Sequence, residues 1–190
     1  ETDLDPFCHW AKAGTPPGGQ LWMQINHPGR QVYEAMGETA LSPSDVALDM
    51  GNLSKLFAQP RAMTEAEIET LIERFATTSQ KAESAGFTGV QVHAAHGYLI
   101  SHFLSPLSNR RTDQWGGDIT NRSRILIEVV KRVRAVVAHD FCVSVKLNSA
   151  DFQTGGFSLA DAITVVESLN ELGVDLVELS GGSYESPAMQ

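Results

Sequence analysis

Apolar positions recur along the chain at two different spacings. In three segments they return every three or four residues, which places them on one face of a helix. We therefore predict helices over about 64–85, about 121–138 and 158–173. Elsewhere the apolar residues form short runs bounded by glycine and polar residues, and such runs are typical of buried strands.

Cap residues mark the starts of these predicted helices. Thr64 followed by Glu67, and Ser158 followed by Asp161, have the spacing of a capping box. In that motif each of the two side chains binds the backbone amide of the other residue. Asn121 is expected to cap the second helix, because asparagine is a preferred residue at this position. Local chemistry therefore agrees with the apolar periodicity about where each helix begins.

Strand predictions occupy the stretches before and between the helices. The four apolar runs are 20–25, 89–93, 142–147 and 174–179. Alternation of strands and helices is typical of a parallel sheet covered by helices. A weak internal repeat favours a closed sheet, since His93 follows Gly86 by seven residues and Ser180 follows Gly173 by seven. We predict an α/β fold of the TIM-type (β/α)8 barrel class.

Polar side chains at the strand ends indicate where a site would lie. Successive strand residues face opposite sides of a sheet. When the apolar residues face the helices, the residues that point into the barrel near the strand ends are Gln24, His93, Lys146 and Ser180. Active sites of TIM-type barrels form at the carboxyl ends of the strands. Two long loops, 26–63 and 97–120, follow strands on this same predicted side.

Composition excludes some classes of function. The chain has 190 residues, 42% of them apolar, and a net charge of −9. We therefore expect a single domain, 1–190, with a substantial core and without a nucleic-acid partner. No apolar run is long enough to span a membrane, and the first residues do not resemble a signal peptide. Cys8 and Cys142 lack metal-site spacing, which predicts free thiols in a cytoplasmic protein.

Two histidines and a tyrosine end the second predicted strand. His93, His96 and Tyr98 lie within the stretch VHAAHGY. Imidazoles can bind a metal, but the chain has no HExxH motif, and Lys146 at a neighbouring strand end would repel a cation. The set is better suited to an oxygen atom, because the histidines can donate hydrogen bonds to it and the tyrosine can donate a proton. A metal-dependent barrel hydrolase that uses the histidine pair is the alternative.

Longer stretches resemble a known family. The sequence VHAAHGYLISHFLSPLSNRRTDQWGGDITNRSRIL, residues 92–126, closely resembles the central signature of the Old Yellow Enzyme family of FMN-dependent NAD(P)H:flavin oxidoreductases, or ene-reductases. LWMQINHPGRQ, at 21–31, resembles that family's third strand and the following loop. VKLNSADF, at 145–152, resembles its fifth strand. The resemblance extends over nearly the whole chain.

This resemblance implies a role for each candidate residue. His93 and His96 would hold the carbonyl oxygen of an electron-poor alkene, and Tyr98 would protonate its α-carbon. Gln24 would bind the polar edge of the FMN pyrimidine, and Lys146 would lie near N1 and C2=O of the flavin. NADH or NADPH would be the reductant. The family often has arginine where this chain has Lys146, and lysine lacks the planar fork of arginine.

The resemblance also bears on length and on one further loop. The four predicted strands match the third to sixth of the family's eight. We therefore expect an internal piece of a longer enzyme, and its two open sheet edges predict self-association. A non-catalytic barrel fragment is a third alternative. The arginine-rich loop, residues 109–124, is expected to be a surface loop held by Arg–Asp pairs and capped at Asn121.

Overall fold

Helices and strands alternate along most of the chain. The computed structural model describes residues 3–186. Its elements, in chain order, are α1 Asp5–Gly14, β1 Trp22–Ile25, β2 Leu41–Ser42, β3 Arg61–Ala62, α2 Glu65–Ser84, β4 Gly89–Ala94, α3 Leu99–Leu104, α4 Ile119–Arg134, β5 Cys142–Asn148, α5 Leu159–Glu171 and β6 Leu176–Ser180. Two short 3-10 helices, Glu34–Met36 and Gly51–Leu56, lie in the long loop after β1.

The main sheet has four parallel strands in the order β1-β4-β5-β6. All four correspond to predicted strands, with ends that differ by at most two residues. The short strands β2 and β3 form a separate parallel pair. At the edge strand β6, Leu176 and Leu179 are 45% and 62% exposed. The sheet is therefore best covered at its two central strands, β4 and β5.

The core lies between the sheet and its helices. The apolar side chains of β4 and β5 that the strand pattern directs toward the helices are all completely buried: Val90, Val92, Val143, Val145 and Leu147. They belong to one apolar cluster with the inner faces of α2, α4 and α5. This confirms the predicted strand faces, so the opposite side of the same strands is available for polar residues.

Two of the three predicted helix starts are correct. Capping boxes join Thr64 to Glu67 and Ser158 to Asp161. The prediction that Asn121 caps the second helix is wrong, because the cap is Asp118, whose carboxylate accepts the Asn121 backbone N–H at 2.9 Å. Both residue types can cap a helix, and the backbone of the preceding loop decides which of them does.

The helices α1 and α3 were not predicted. All six residues of α3 are buried, so it has no polar face and no periodic pattern to reveal it. In α1, Ala11 is buried, and Trp10 contacts Phe87 edge to face with ring centroids 5.3 Å apart. Short helices such as these contain too few repeats of the three- to four-residue apolar spacing from which a helix is predicted.

The arginine-rich loop is less exposed than predicted. An ion pair joins Arg111 to Asp113, as expected. Arg122, however, is 7% exposed; it donates to the Leu104 carbonyl at 2.7 Å and to Asp161 at 3.1 Å. The description as a surface loop is therefore wrong for Arg122, because this residue lies in α4 and its guanidinium is buried. There it supplies hydrogen bonds that buried carbonyl groups require.

Two sequence expectations concern the chain as a whole. Cys8 and Cys142 are both free, as predicted. Over residues 3–186, none of the helices combines the length and the apolar content needed to cross a lipid bilayer.

Candidate active site

The end of β4 places the first histidine inside the fold. His93 is 4% exposed, and its Nδ1 accepts the backbone N–H of Ala95 at 3.2 Å. Because Nδ1 is used as an acceptor, the neutral ring carries its proton on Nε2. This hydrogen bond therefore leaves His93 with an Nε2–H group that can be donated to a ligand.

The three residues predicted from VHAAHGY lie together. The ring centroids of His93 and His96 are 5.2 Å apart, at an interplanar angle of 81°. Those of His93 and Tyr98 are 4.9 Å apart, at 72°. His93 thus contacts both of the other rings edge to face. We call residues 95–98 the His–Tyr loop.

The His–Tyr loop has an unusual backbone. His96 has φ of 60° and Gly97 has φ of 72°, so both adopt the left-handed region. A side chain at Gly97 would also approach Cβ of Ser183 to 3.0 Å, which requires glycine there. The His96 ring is held at its far end, where Nε2 lies 2.5 Å from Oγ of Ser180, the predicted inward residue of β6. These contacts fix the position of the ring.

Burial favours the neutral form of both site histidines. It lowers the pKa of His93 to about 4, with smaller contributions from the proximity of His96 and from the Lys146 charge. Burial and the Lys146 charge also lower the pKa of His96. A neutral imidazole can donate a hydrogen bond without carrying a charge, so the pair suits an oxygen atom on which negative charge develops.

Gln24 and Lys146 lie on the inner face of the sheet in a connected set of polar side chains. Gln24 donates to Gln91 at 2.7 Å, Gln91 donates to Glu178 at 2.9 Å, and Lys146 donates to Glu178 at 2.8 Å. We call these four residues the polar row. Lys146 is also the direct register partner of His93. The row therefore connects the predicted flavin-binding residues to the base of the histidine pair.

Sequence reasoning missed Glu178 and Tyr184 as site residues. Hydrogen bonds from Lys146 and Gln91 lower the pKa of Glu178, which stays ionised and offsets the Lys146 charge. Tyr184 lies beside Tyr98, with ring centroids 6.3 Å apart, and a hydrogen bond with Tyr98 raises the pKa of Tyr184. Strand parity could have indicated Glu178, because it shares a face with Ser180.

Arg30 connects the long loop that follows β1 to the segment that follows β6. Its guanidinium is 4% exposed and donates to Nε2 of His102 at 2.9 Å. It also pairs with Glu185 at 2.5 Å, and Glu185 accepts the Asp49 backbone N–H at 2.7 Å. We call residues 181–186 the β6 tail. The ion pair holds this tail against the long loop that follows β1.

An aromatic wall extends from the site toward the surface. Tyr184 contacts Phe57 with centroids 6.1 Å apart, and Phe57 stacks on Tyr33 at 4.9 Å. Through the Tyr98–Tyr184 contact this row of rings reaches the His–Tyr loop. Within residues 3–186 the structure contains no group of three or more His, Cys, Asp and Glu side chains arranged to hold a metal ion.

Comparison with known proteins shows which family this chain resembles. Residues 7–187 match the model of the NADH:flavin oxidoreductase / NADH oxidase family. The chain belongs to this family. Among its relatives, the NADH-dependent flavin oxidoreductase iliE of Neonectria sp. (strain DH2) is 43% identical over 98% of this chain and 26% of that protein. The chain spans 26% to 50% of the length of the first three curated relatives.

Solved structures agree with the family in fold. A 2-naphthoyl-CoA reductase, in complex with 2-naphthoyl-CoA, superposes with a TM-score of 0.90 at 31% identity, over 97% of this chain and 30% of that one. An Old Yellow Enzyme homologue from Zymomonas mobilis gives a TM-score of 0.82 at 27% identity, over 97% and 56%. The four-stranded sheet is therefore part of an Old Yellow Enzyme barrel.

These findings confirm the predicted family and fold class. The family is one of NADH:flavin oxidoreductases, and the names of its relatives state dependence on NADH or NADPH. These names agree with the predicted oxidoreductase class, FMN cofactor and reductant. The individual roles of His93, His96, Tyr98, Gln24 and Lys146 are predictions that the comparisons do not address.

Proposed function

We propose that this protein reduces the activated C=C bond of α,β-unsaturated carbonyl or related compounds. The observation that carries the proposal is the His93–His96–Tyr98 group, in which two neutral imidazoles and a phenol meet at the mouth of the sheet. Such a set can bind the carbonyl oxygen of a substrate and deliver a proton to the α-carbon next to the carbonyl group. The chemistry requires no metal ligand from the described residues.

FMN would be held in part by the polar row. Gln24 contributes an amide and Lys146 an ammonium group on the same inner face. Amide and ammonium donors match the carbonyl and nitrogen edge of a flavin ring, so the residues present fit the cofactor. Glu178 accepts a hydrogen bond from Lys146 and fixes the position of its ammonium group. When bound, FMN supplies the hydride, which it receives from NADH or NADPH.

The protein residues would act on the substrate oxygen and on one proton. Nε2–H of His93 would donate a hydrogen bond to the carbonyl oxygen. His96 would donate to the same oxygen from Nδ1–H, while its Nε2 accepts the Ser180 hydroxyl. Both bonds strengthen as that oxygen becomes negatively charged. Tyr98 would give its proton to the α-carbon, and solvent would restore the Tyr98 proton.

The aromatic wall supports an apolar substrate. Tyr184 lies beside Tyr98, and Phe57 and Tyr33 continue the row of rings behind it. Rings of this kind bury the carbon skeleton of a ligand without demanding hydrogen bonds from it. The wall would therefore hold the part of the substrate that does not react.

The test follows the two half-reactions of the holoenzyme separately. We expect the variant His93→Ala/His96→Ala to accept electrons from NADH as the parent does. Its reduction of 2-cyclohexen-1-one should be slower by about 10²-fold or more, the usual cost of losing hydrogen-bond donors to a developing oxyanion. Stopped-flow absorbance measures both steps.

A matched control removes the same number of histidines away from the site. His9 and His139 are both exposed and lie away from β4. The variant His9→Ala/His139→Ala should reduce the enone at the parental rate. Parental rates of enone reduction in His93→Ala/His96→Ala would overturn the proposal, as would a parent enzyme that oxidises NADH but never reduces the enone.

A further inference from the structure

His96 needs an external support for its backbone. A residue with a β-carbon adopts the left-handed region at a cost of order 1 kcal/mol, and it stays there when the surroundings impose it. His96 has φ of 60°, and the glycine that follows it cannot provide a side-chain contact. The support must therefore come from another element of the fold.

Asn148, the last residue of β5, makes that contact. Its side chain is 1% exposed, and its Oδ1 accepts the backbone N–H of His96 at 3.1 Å. On the other side, its Nδ2 donates to the Gly182 carbonyl in the β6 tail at 3.0 Å. One buried amide thus joins the His–Tyr loop to the β6 tail.

A second buried side chain determines the orientation of this amide. Asp151 is 5% exposed, and its Oδ1 accepts a hydrogen bond from Nδ2 of Asn148 at 3.3 Å. Its other oxygen accepts the Phe157 backbone N–H at 2.9 Å. Because a carboxylate can only accept, the NH₂ group of Asn148 must face Asp151 and Gly182. The carbonyl oxygen of the amide then has to face His96.

We propose that Asn148 is the positioning residue for the histidine pair. It acts through the backbone of His96 and does not touch the substrate. By holding His96 in its left-handed conformation, it keeps the ring beside His93 and within 2.5 Å of Ser180. Its bond to Gly182 sets the start of the segment that carries Tyr184 beside Tyr98. This inference rests on the proposed function of the pair.

The first experiment removes the amide and measures ligand binding. In the holoenzyme, Asn148→Ala should bind 4-nitrophenol about 10-fold to 100-fold more weakly, because displacement of a binding group by about 1 Å has effects of this size. Its enone reduction should slow in kcat as well as in KM, while reduction by NADH stays near the parental rate. Titration by absorbance gives the affinity, and stopped flow gives the two rates.

Asn109 provides the matched control. It is 4% exposed, and its amide donates to the carbonyls of Phe103 and Trp115 at 2.8 and 2.7 Å. It therefore makes the same kind of buried backbone contacts, but none to His96. Asn109→Ala should lose stability in urea to a similar extent and keep the parental affinity for 4-nitrophenol. Equal affinities in Asn148→Ala and Asn109→Ala would overturn the inference.

A double variant that exchanges the amide and the carboxylate of positions 148 and 151 tests the role of the acceptor for His96, even where Asn148→Ala folds poorly. In Asn148→Asp/Asp151→Asn, position 148 still accepts the His96 N–H, and position 151 supplies the NH₂ group. This double variant should recover part of the affinity lost in Asn148→Ala, because the acceptor for His96 is restored. Recovery should be incomplete, because the Gly182 carbonyl loses its donor. No recovery in a folded double variant would refute the role of the acceptor.

The outcomes separate this inference from the function on which it rests. A parent enzyme that neither binds 4-nitrophenol nor reduces the enone would disprove the proposed function. A parent that does both, together with a folded Asn148→Ala that does so equally well, would disprove only the role of Asn148.

Discussion

The two faces of the four-stranded sheet have opposite chemistry, although the same strands build both. On the outer face, the valines of β4 and β5 are completely buried against the helices. On the inner face, the polar row consists of side chains that bind one another and remain at least partly exposed. The outer face stabilises the fold by burying apolar area, whereas the inner face offers charges and hydrogen-bond donors to a ligand.

Strand β5 shows this difference within three successive residues. Lys146 points inward and pairs with Glu178. Leu147 points outward and is completely buried. Asn148 points inward again and binds the His–Tyr loop. Substitutions at neighbouring positions should therefore separate catalysis from stability.

The largest effect is expected at the mouth of the sheet. Tyr98→Phe should slow alkene reduction by about 10²–10⁴-fold, the usual contribution of a general acid. The ring still packs on His93, and the loss of the hydrogen bond with Tyr184 should lower the free energy of unfolding by only about 1 kcal/mol. Stopped-flow measurement of the two half-reactions checks this. Equal slowing of reduction by NADH would remove Tyr98 from the role of proton donor.

Substitution on the outer face of the sheet should lower stability and leave activity nearly unchanged. Leu147→Ala should lower the free energy of unfolding by about 2–5 kcal/mol, because it leaves a cavity in the core. The folded variant should still reduce the alkene at close to the parental rate. Leu159→Ala is the control, since that leucine is 64% exposed and its loss should cost little. Urea unfolding measures both variants, and equal effects would contradict the assignment of faces.

A smaller effect on the free energy of unfolding is expected when the pH is lowered. His93 has its pKa lowered to about 4 by burial, whereas an unfolded histidine titrates near its ordinary value of about 6.5. Between these two pH values the unfolded chain binds a proton that the folded chain does not, so stability should fall as pH decreases through this window. His93→Asn should show a shallower decrease. Identical pH profiles of unfolding free energy would show that burial does not keep His93 neutral.

Much of the fold could be predicted because its determinants are local. The capping box at Thr64 and the apolar stripe that follows it lie in one continuous segment, so α2 was predicted with nearly correct ends. Strand faces followed from alternation alone. By contrast, α3 is buried on all sides and has no local pattern, and Arg122 is buried only because α3 and α5 meet around it.

The candidate site was predictable in part for the same reason. His93, His96 and Tyr98 are close in sequence, so one motif indicated all three. Asn148 and Tyr184 belong to other segments and enter the site only when β5 and the β6 tail come to the end of β4. Their side chains carry no distinctive pattern of their own.

The sequence by itself determined which residues face the helices, where two helices are capped, and which three side chains lie at the end of β4 and in the loop after it. Periodicity, capping and strand alternation act over a few residues, and a linear sequence contains that information. The tertiary structure decided that His93 is neutral, that Glu178 offsets the charge of Lys146, and that Asn148 holds His96 in a left-handed conformation. Burial, pKa and hydrogen bonding between distant residues depend on which segments meet in three dimensions, and only the folded chain brings those segments together.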